Sequence, residues 1–543
     1  MSLDRPAALA CAECRRKHLK CDAKFPTCDR CHAAGKQCTY SPSRRGLKRK
    51  VVSSDIATYV QRPSVATGEL EASVPPLPEL LTPLESSPRS RQLEVPNSDH
   101  DEGLVGLFYA KLYPAHPILV PRSMYAEATY PRTLQLVVQS AGSHFSSNTR
   151  REDLQRTATE ALANAEQYDY HLVQAQLLYA IVLHARGEVA ESVHMLDSAV
   201  GLALDLRMND EDYASSQGNG NFVVEESIRR TWWELYVTDG LMAALQRKTT
   251  FRCHMVNSSA LLPCDEAMYQ SGVPPLELSS LRDFDARIYA EEERQFPSSA
   301  YRIDAVRILS RVIAVVWTDQ VPRERIQAIN TAIAAWRLHI PQAHLGHAGI
   351  HSDHDEIMFQ AQILIHYSSM YLHFPRSDLV SAVPAARDVI REKTLSPTSS
   401  QWTHALRAIE AAEQIGHLVV DAPRQSEHTP FLLCYIVFGL IVQLSACAAN
   451  RPGSHERHWD QISLAIGLLK DLRGTWPLAQ AILPKVKHMT AAVFQERPQV
   501  AADGLVPEGS VVGGVGRCDD LPFLSEGSIS WTDPFLWVGQ ETL

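Results

Sequence analysis

Residues 11–38 read CAECRRKHLKCDAKFPTCDRCHAAGKQC and contain six of the eleven cysteines in the 543-residue chain. The spacing is C-x2-C-x6-C, repeated once with an offset of 17 residues. Zinc prefers four thiolates in a tetrahedron, so six thiolates satisfy two zinc ions when two sulfurs bridge the metals. The first cysteine of each copy is the natural bridge, which assigns that role to Cys11 and Cys28. The predicted ligands are Cys11, Cys14, Cys21, Cys28, Cys31 and Cys38.

This segment has almost no apolar core, because Leu19 and Phe25 are its main large apolar residues. Metal binding must therefore supply its folding free energy. A disulfide-linked region is the alternative. Because no secretory signal is recognisable, we expect a reducing compartment, which favours metal ligation over disulfides.

The residues between the predicted ligands are basic. Every residue between Cys14 and Cys21 except Leu19 is a potential cation, and a short helix there would project these charges outward. Such side chains bind phosphates and read acceptors on guanine. A second basic run could follow the DNA backbone, act as a nuclear import signal, or be a solvated tail. It consists of Arg44, Arg45, Lys48, Arg49 and Lys50.

Charge is distributed unevenly along the chain. Residues 1–50 hold 13 Lys/Arg and 4 Asp/Glu, a net charge of +9, whereas the other 493 residues carry 39 basic and 58 acidic side chains, a net −19. This asymmetry predicts a polyanion-binding head joined to a different kind of domain.

At Ala10–Tyr40 the chain resembles the fungal transcription factors that have a six-cysteine binuclear zinc cluster. The resemblance implies a helix in the major groove of double-stranded DNA over a CGG-type triplet. It assigns base contacts to Lys17 and His18, and phosphate contacts to Arg15, Arg16 and Lys20; Arg44 and Arg45 are further phosphate candidates. The family usually has Lys where this chain has His18, and neutral His offers one donor and a weaker charge.

The region after the head is interpreted as a linker. Residues 51–98 contain seven prolines with many Ser and Glu, which is typical of a flexible, partly extended connection. No run of heptads appears there, so any homodimer is expected to form through the large domain. The predicted domains are the cluster with its basic tail at 1–50, the linker at 51–98, a regulatory domain at 99–499 and a tail at 500–543.

The large domain is predicted to be all-α, because helical periodicity recurs throughout and alternating β-branched runs are scarce. A second resemblance, to the fungal transcription-factor regulatory domain, rests on Gln174–Met208 with Gly187 between two helices, on Arg229–Asp239, and on Leu261–Asp265. The predicted helices are 101–113, 131–144, 153–165, 171–186, 189–206, 224–246, 302–317, 323–338, 355–373, 401–419, 430–448, 459–472 and 477–494.

Asp239 is predicted to share one helix face with Ile228, Trp232, Leu235 and Met242. A carboxylate on an apolar face must be paired or capped. We expect Arg229 or Arg230 to take part, in a structural rather than a catalytic role, because no base or nucleophile motif accompanies Asp239. The chain is accordingly not expected to be an enzyme.

Two other segments admit alternatives. The loop from His339 to His354 crowds histidines and is followed by Asp355 and Glu356, and it could bind a metal for an enzyme; a solvated connection between helices is the favoured interpretation. Phe431–Ala448 is apolar but slightly short for a membrane span, so a buried core helix is expected and no membrane partner.

The tail, acidic and aromatic from Asp519 to Trp537, suits an activation segment that binds a coactivator, or else packs on the helical body. The prediction as a whole is a nuclear, sequence-specific regulator of RNA polymerase II genes, specific to a pathway such as metabolism or a secondary-metabolite gene cluster. The alternative is an adaptor whose cluster binds protein.

Overall fold

The computed structural model divides the chain into two compact units, Met1–Arg91 and Gln92–Leu543. Most of the predicted linker, the basic run at 44–50 and the tail at 500–543 lie outside the described residues. The structure describes residues 14, 17, 20–22, 27–36, 38, 98–147, 151–291, 294–318, 320–341, 355–382, 399–422, 428–449 and 455–495.

The first unit contains a short helix, α1, at Asp29–Ala33. The described part of the second unit consists of helices and connecting segments without any β-strand, which confirms the predicted all-α fold. Each predicted helix coincides with an observed one, with ends displaced by four residues or fewer. 

The first half of the second unit adds short helices that the periodicity did not indicate. Its helices are α2 (Ser98–Lys111), α3 (Arg132–Ser143), α4 (Arg151–Ala163), α5 (Tyr170–Arg186), α6 (Val189–Asp205), α7 (Glu211–Gly218), α8 (Phe222–Leu245), α9 (Arg252–Met255), α10 (Glu266–Ser271) and α11 (Leu281–Ala286). Short 3-10 turns lie at Arg122–Met124 and Arg287–Tyr289.

The second half is built from longer helices that share one continuous apolar core with the first half. Its helices are α12 (Ser298–Val316), α13 (Arg323–Leu338), α14 (Glu356–His373), α15 (Ser399–Asp421), α16 (Leu432–Ala448), α17 (His455–Leu472) and α18 (Pro477–Gln495). Short 3-10 turns lie at Phe374–Arg376 and Asp378–Ser381.

Gly187 separates α5 from α6, as the sequence predicts. Its φ of 84° lies in the left-handed region, where glycine has no steric penalty. Its N–H donates to the carbonyl of His184, and Asp169 caps the other end of α5 by accepting from the N–H groups of His171 and Leu172. The glycine therefore ends α5 and lets α6 fold back against it.

Helix α16 is the apolar stretch considered as a membrane span. Nearly all its residues are buried, and the polar Gln443 within it is held by His458 of α17, whose Nδ1 lies 2.5 Å from the Gln443 Oε1. Among the described helices, none combines the length and apolarity that a membrane crossing needs. The helix is thus a core element, as expected.

Helix α8 runs through the centre of the domain, and a mainly non-helical segment lies along it. We call this segment, residues 253–266, the strap. The Trp232 indole N–H donates to the Ser258 hydroxyl at 3.0 Å, and that of Trp233 donates to the Leu261 carbonyl at 2.8 Å. Both indoles are almost completely buried, so the two tryptophans are core residues that also fix the strap.

The start of the strap corrects the expectation for Asp239. The Asp239 Oδ2 accepts a hydrogen bond from the backbone N–H of Cys253 at 2.9 Å, and burial raises the pKa of this carboxyl group. Neither Arg229 nor Arg230 pairs with it. These arginines lie more than two helical turns away, and they reach back one turn to Glu226 instead.

Glu226 fixes the far end of the strap. This fully buried carboxylate accepts from the Nε of Arg229 at 3.0 Å, from the Nε of Arg230 at 2.9 Å, and from the backbone N–H of Cys264 at 2.8 Å. Arg230 also donates to the Cys264 carbonyl at 3.1 Å and to the carboxylate of Glu266. The Arg229–Asp239 motif therefore binds the strap from one end to the other.

Candidate metal centre and nucleic-acid interface

The cysteine side chains of the first unit converge. The sulfurs of Cys14 and Cys28 lie 3.8 Å apart, and Cys14, Cys28 and Cys31 are each at most 2% exposed. These three cysteines form a buried cluster. Among the apolar residues that the structure describes, only Cys21 and Cys38 pack against it. Sulfur atoms thus take the place of a hydrocarbon core.

Cys28 lies at the centre of this arrangement. Its sulfur is within 4.8 Å of those of Cys14 and Cys31, and in a second group it lies within 4.8 Å of the Cys21 sulfur and an Asp22 carboxylate oxygen. The backbone N–H of Cys28 donates to the Cys38 sulfur at 3.4 Å. A soft donor set gathered around Cys28 fits zinc, while the bridging role of Cys28 stays a prediction.

Helix α1 lies within the second copy of the cysteine repeat. Cys28 is its N-cap, and its sulfur accepts from the N–H of Cys31 at 3.4 Å. The Asp22 carboxylate accepts from the N–H of Asp29 at 3.2 and 3.3 Å. This role of Asp22 was not predicted. A carboxylate near a helix N-terminus is favourable, but the spacing of seven residues gave no local signal.

Two of the predicted DNA-contacting residues are described, and both Lys17 and Lys20 are exposed. Helix α1 adds exposed Arg30 and His32 on the second copy of the repeat. The remaining predicted residues lie outside the described part of the chain: Cys11, Arg15, Arg16, His18, Arg44, Arg45, Lys48, Arg49 and Lys50.

The described members of the histidine-rich loop do not gather into a metal site. His339 lies at the end of α13 with its Nδ1 2.7 Å from the Ala335 carbonyl. Asp355 is the N-cap of α14 and accepts from the N–H of Met358 at 3.0 Å. Residues 342–354 of this loop lie outside the described residues.

Glu356, next in the sequence, points into the core rather than toward the loop. Its Oε2 lies 2.5 Å from the Nδ1 of buried His428, and its Oε1 accepts from Gln360 at 2.9 Å. The two acidic residues that follow the loop therefore cap a helix and join a buried network.

Comparison with known families and proteins agrees with the geometry. Residues 9–47 match the model of the fungal Zn(2)-Cys(6) binuclear cluster domain, and residues 105–337 match that of the fungal specific transcription factor domain. The second match includes Gly187, the Arg229–Asp239 motif and the strap. The cluster domain binds two zinc ions, which confirms the predicted cofactor.

Three similar proteins are transcriptional regulators by name. The C6 finger domain transcription factor iacK of Pestalotiopsis fici is 28% identical over 547 residues, covering 90% of this chain and 81% of that protein. The azaphilone cluster-specific transcription factor azaR of Aspergillus niger is 27% identical over 49% of this chain and 63% of its own length. An uncharacterized transcriptional regulatory protein of Schizosaccharomyces pombe is 23% identical over 49% of this chain and 43% of its own length. No solved structure matches.

Proposed function

Because the chain belongs to the fungal transcription factors with a Zn(2)-Cys(6) binuclear cluster, a class of DNA-binding regulators, we propose that it controls the genes of one pathway by reading a CGG-like triplet. The observation that carries this proposal is the convergence of the described cysteines on Cys28 within the matched cluster domain. The similarity to a regulator named for one biosynthetic gene cluster supports the pathway-specific part.

The cysteines would hold the zinc ions as the spacing predicts. In this assignment Cys11 and Cys28 bridge the two ions, and Cys14, Cys21, Cys31 and Cys38 are terminal ligands. Zinc supplies structural rather than chemical function, because a cluster without an apolar core needs the metal in order to fold. Asp22 then orients α1 and so fixes the second copy of the repeat relative to the first.

The basic residues would make two kinds of contact with DNA. Lys17 and His18 contact bases in the major groove; Arg15, Arg16, Lys20, Arg44 and Arg45 contact phosphates. Support comes from the exposure of Lys17 and Lys20 beside the buried sulfurs. Phosphate contacts set orientation and affinity, whereas base contacts set specificity.

The other parts of the chain would act in regulation. We assign residues 1–50 to the cluster and its basic tail, 51–98 to the linker, 99–499 to the regulatory domain, and 500–543 to the tail. The protein would act in the nucleus without catalytic activity, with Arg44–Lys50 as import signal. A homodimer would form through the helical domain, and a coactivator would bind the acidic-aromatic tail.

Quantitative DNA binding by the full-length, zinc-loaded protein tests the proposal. A duplex containing CGG should bind more tightly than a scrambled duplex, with log K falling against log salt by about 0.9 per phosphate contacted. Lys17→Gln should reduce discrimination by about 1–3 kcal/mol, and Lys20→Gln should lower the salt slope by about 1. Lys470→Gln, an exposed change of the same charge on α17, is the matched control and should change neither.

Genome-wide occupancy provides the complementary measurement. The tagged protein should occupy promoters that contain CGG, and Cys14→Ala should abolish that pattern because the cluster loses a ligand. An unchanged occupancy map, together with equal affinity for the CGG and scrambled duplexes, would instead favour the protein-binding adaptor.

A further inference from the structure

A polar seam lies between α13 and α14. The His373 Nε2 lies 2.9 Å from the Asn330 Oδ1, and this hydrogen bond sets the register of the two helices. Arg337 follows Asn330 by seven residues and His366 precedes His373 by seven, which is two turns in each helix. Arg337 is therefore brought close to His366. Burial is the larger cause, and the charge of Arg337 the smaller one, that together lower the pKa of His366 to about 4.

The wall that α14 contributes to the seam is polar along its whole length. Gln362, His366, Ser369 and His373 recur at the spacing of one helix face, and the first three are half-buried. The rest of this helix packs into the core through apolar residues such as Ile363 and Met370. A continuous polar stripe on a core helix is costly unless it meets polar partners.

Helix α15 closes one end of the seam. The Nδ1 of His404 lies 2.7 Å from the Nδ1 of His373, which is only 1% exposed. Burial and the nearby charges of Arg376 and Arg407 lower the pKa of His404 to about 4. Arg376, which follows α14, donates to the carbonyls of Leu372 and Val315 at 2.7 and 3.0 Å.

The arginines of the seam have no acidic partner among the described residues. Within the described part of the chain, Arg337, Arg376 and Arg407 form no ion pair, unlike some arginines such as Arg307, which pairs with Asp285 at 2.7 Å. His366 likewise has no hydrogen-bond partner among the described residues. Arg337 and Arg407 are exposed, so both guanidinium groups are open to a ligand from solvent.

We propose that this seam, lined by Arg337, His366, His404 and Arg407, binds a small anion that carries carboxylate or phosphate groups. Guanidinium groups bind both kinds of oxyanion through paired, charge-assisted hydrogen bonds. The chain outside residues 1–50 has a net charge of −19, which opposes a large polyanion such as DNA at this surface. A small anion reaches the seam and compensates the unpaired arginines.

Calorimetric titration of the full-length, zinc-loaded protein tests the proposal, with inorganic phosphate in one arm and succinate in the other at constant ionic strength. Saturable binding of at least one of the two anions is expected. The anion that binds shows whether the seam takes a phosphate or a carboxylate ligand. The double variant Arg337→Gln/Arg407→Gln should weaken that binding by roughly tenfold or more. Both residues are exposed, so the variant should melt at the wild-type temperature without ligand.

Arg325→Gln is the matched control, because Arg325 is an exposed arginine of the same helix and lies away from the seam. It should leave anion binding unchanged. The proposal is overturned if neither anion saturates the protein at millimolar concentrations, if the double variant binds like the wild type, or if Arg325→Gln weakens binding equally. None of these results would alter the DNA-binding proposal, which rests on residues of the first unit.

Discussion

The strap offers a comparison of two carboxylates that share one arginine. Glu226 is fully buried and Glu266 has a side chain that is 49% exposed, yet both pair with Arg230. Glu226→Ala removes the acceptor of Arg229, Arg230 and the Cys264 N–H at once, and leaves buried donors without their partner. Removing one member of a buried ion pair costs about 3–5 kcal/mol.

Glu266→Ala should behave differently, although it removes the same charge. Water replaces the carboxylate at this exposed position, and Arg230 keeps Glu226 as its partner, so the expected loss is at most about 1 kcal/mol. The two substitutions therefore separate the effect of burial from the effect of charge.

Urea unfolding followed by tryptophan fluorescence measures both changes, because Trp232 and Trp233 contact the strap directly. With a slope of about 3 kcal/mol per M, Glu226→Ala should lower the midpoint by about 1–1.7 M. Glu266→Ala should lower it by less than about 0.4 M. Equal shifts for the two variants would refute the idea that the buried carboxylate holds the strap in place.

Three further outcomes follow from the structure. A zinc chelator should abolish DNA binding but leave the helical circular dichroism of the second unit nearly unchanged, since its core holds no cluster cysteine. Burial lowers the pKa of His184 to about 3, so at acidic pH the unfolded chain binds a proton that the folded chain excludes. As the pH is lowered from about 6.5 to 3, the free energy of unfolding should therefore fall by up to about 1.4 kcal/mol per pH unit. The variant His184→Gln should reduce this slope. Burial raises the pKa of Cys264 and Cys434 to about 12, so both thiols should resist alkylation at pH 8 in the folded protein and react once urea unfolds it.

The sequence was most informative where the signal is periodic or repeated. Gly187 could be placed between two helices because helical periodicity recurs on either side of it, and the duplicated cysteine spacing implied two shared thiolates, assigned to Cys11 and Cys28. Both inferences need only local rules. The structure confirms the position of Gly187, whereas the bridging role of Cys28 stays a prediction.

Sequence reasoning failed where partners are distant in the chain. The strap has no periodicity, so nothing in residues 253–266 indicated that it lies along α8. Asp239 was expected to involve a nearby arginine, but its partner is a backbone N–H fourteen residues on. The seam was missed for the same reason, because Asn330, His373 and His404 meet only after three helices have packed.

The strap has a consequence for genetics. Because every turn of α8 from Glu226 to Asp239 holds part of it, a codon change in this helix should reduce the amount of folded protein even though it alters no cysteine. Screens for inactive alleles are therefore expected to recover mutations in this helix. Immunoblots should show low steady-state abundance for these mutants, and normal abundance for mutants whose regulator is folded but does not reach its promoters.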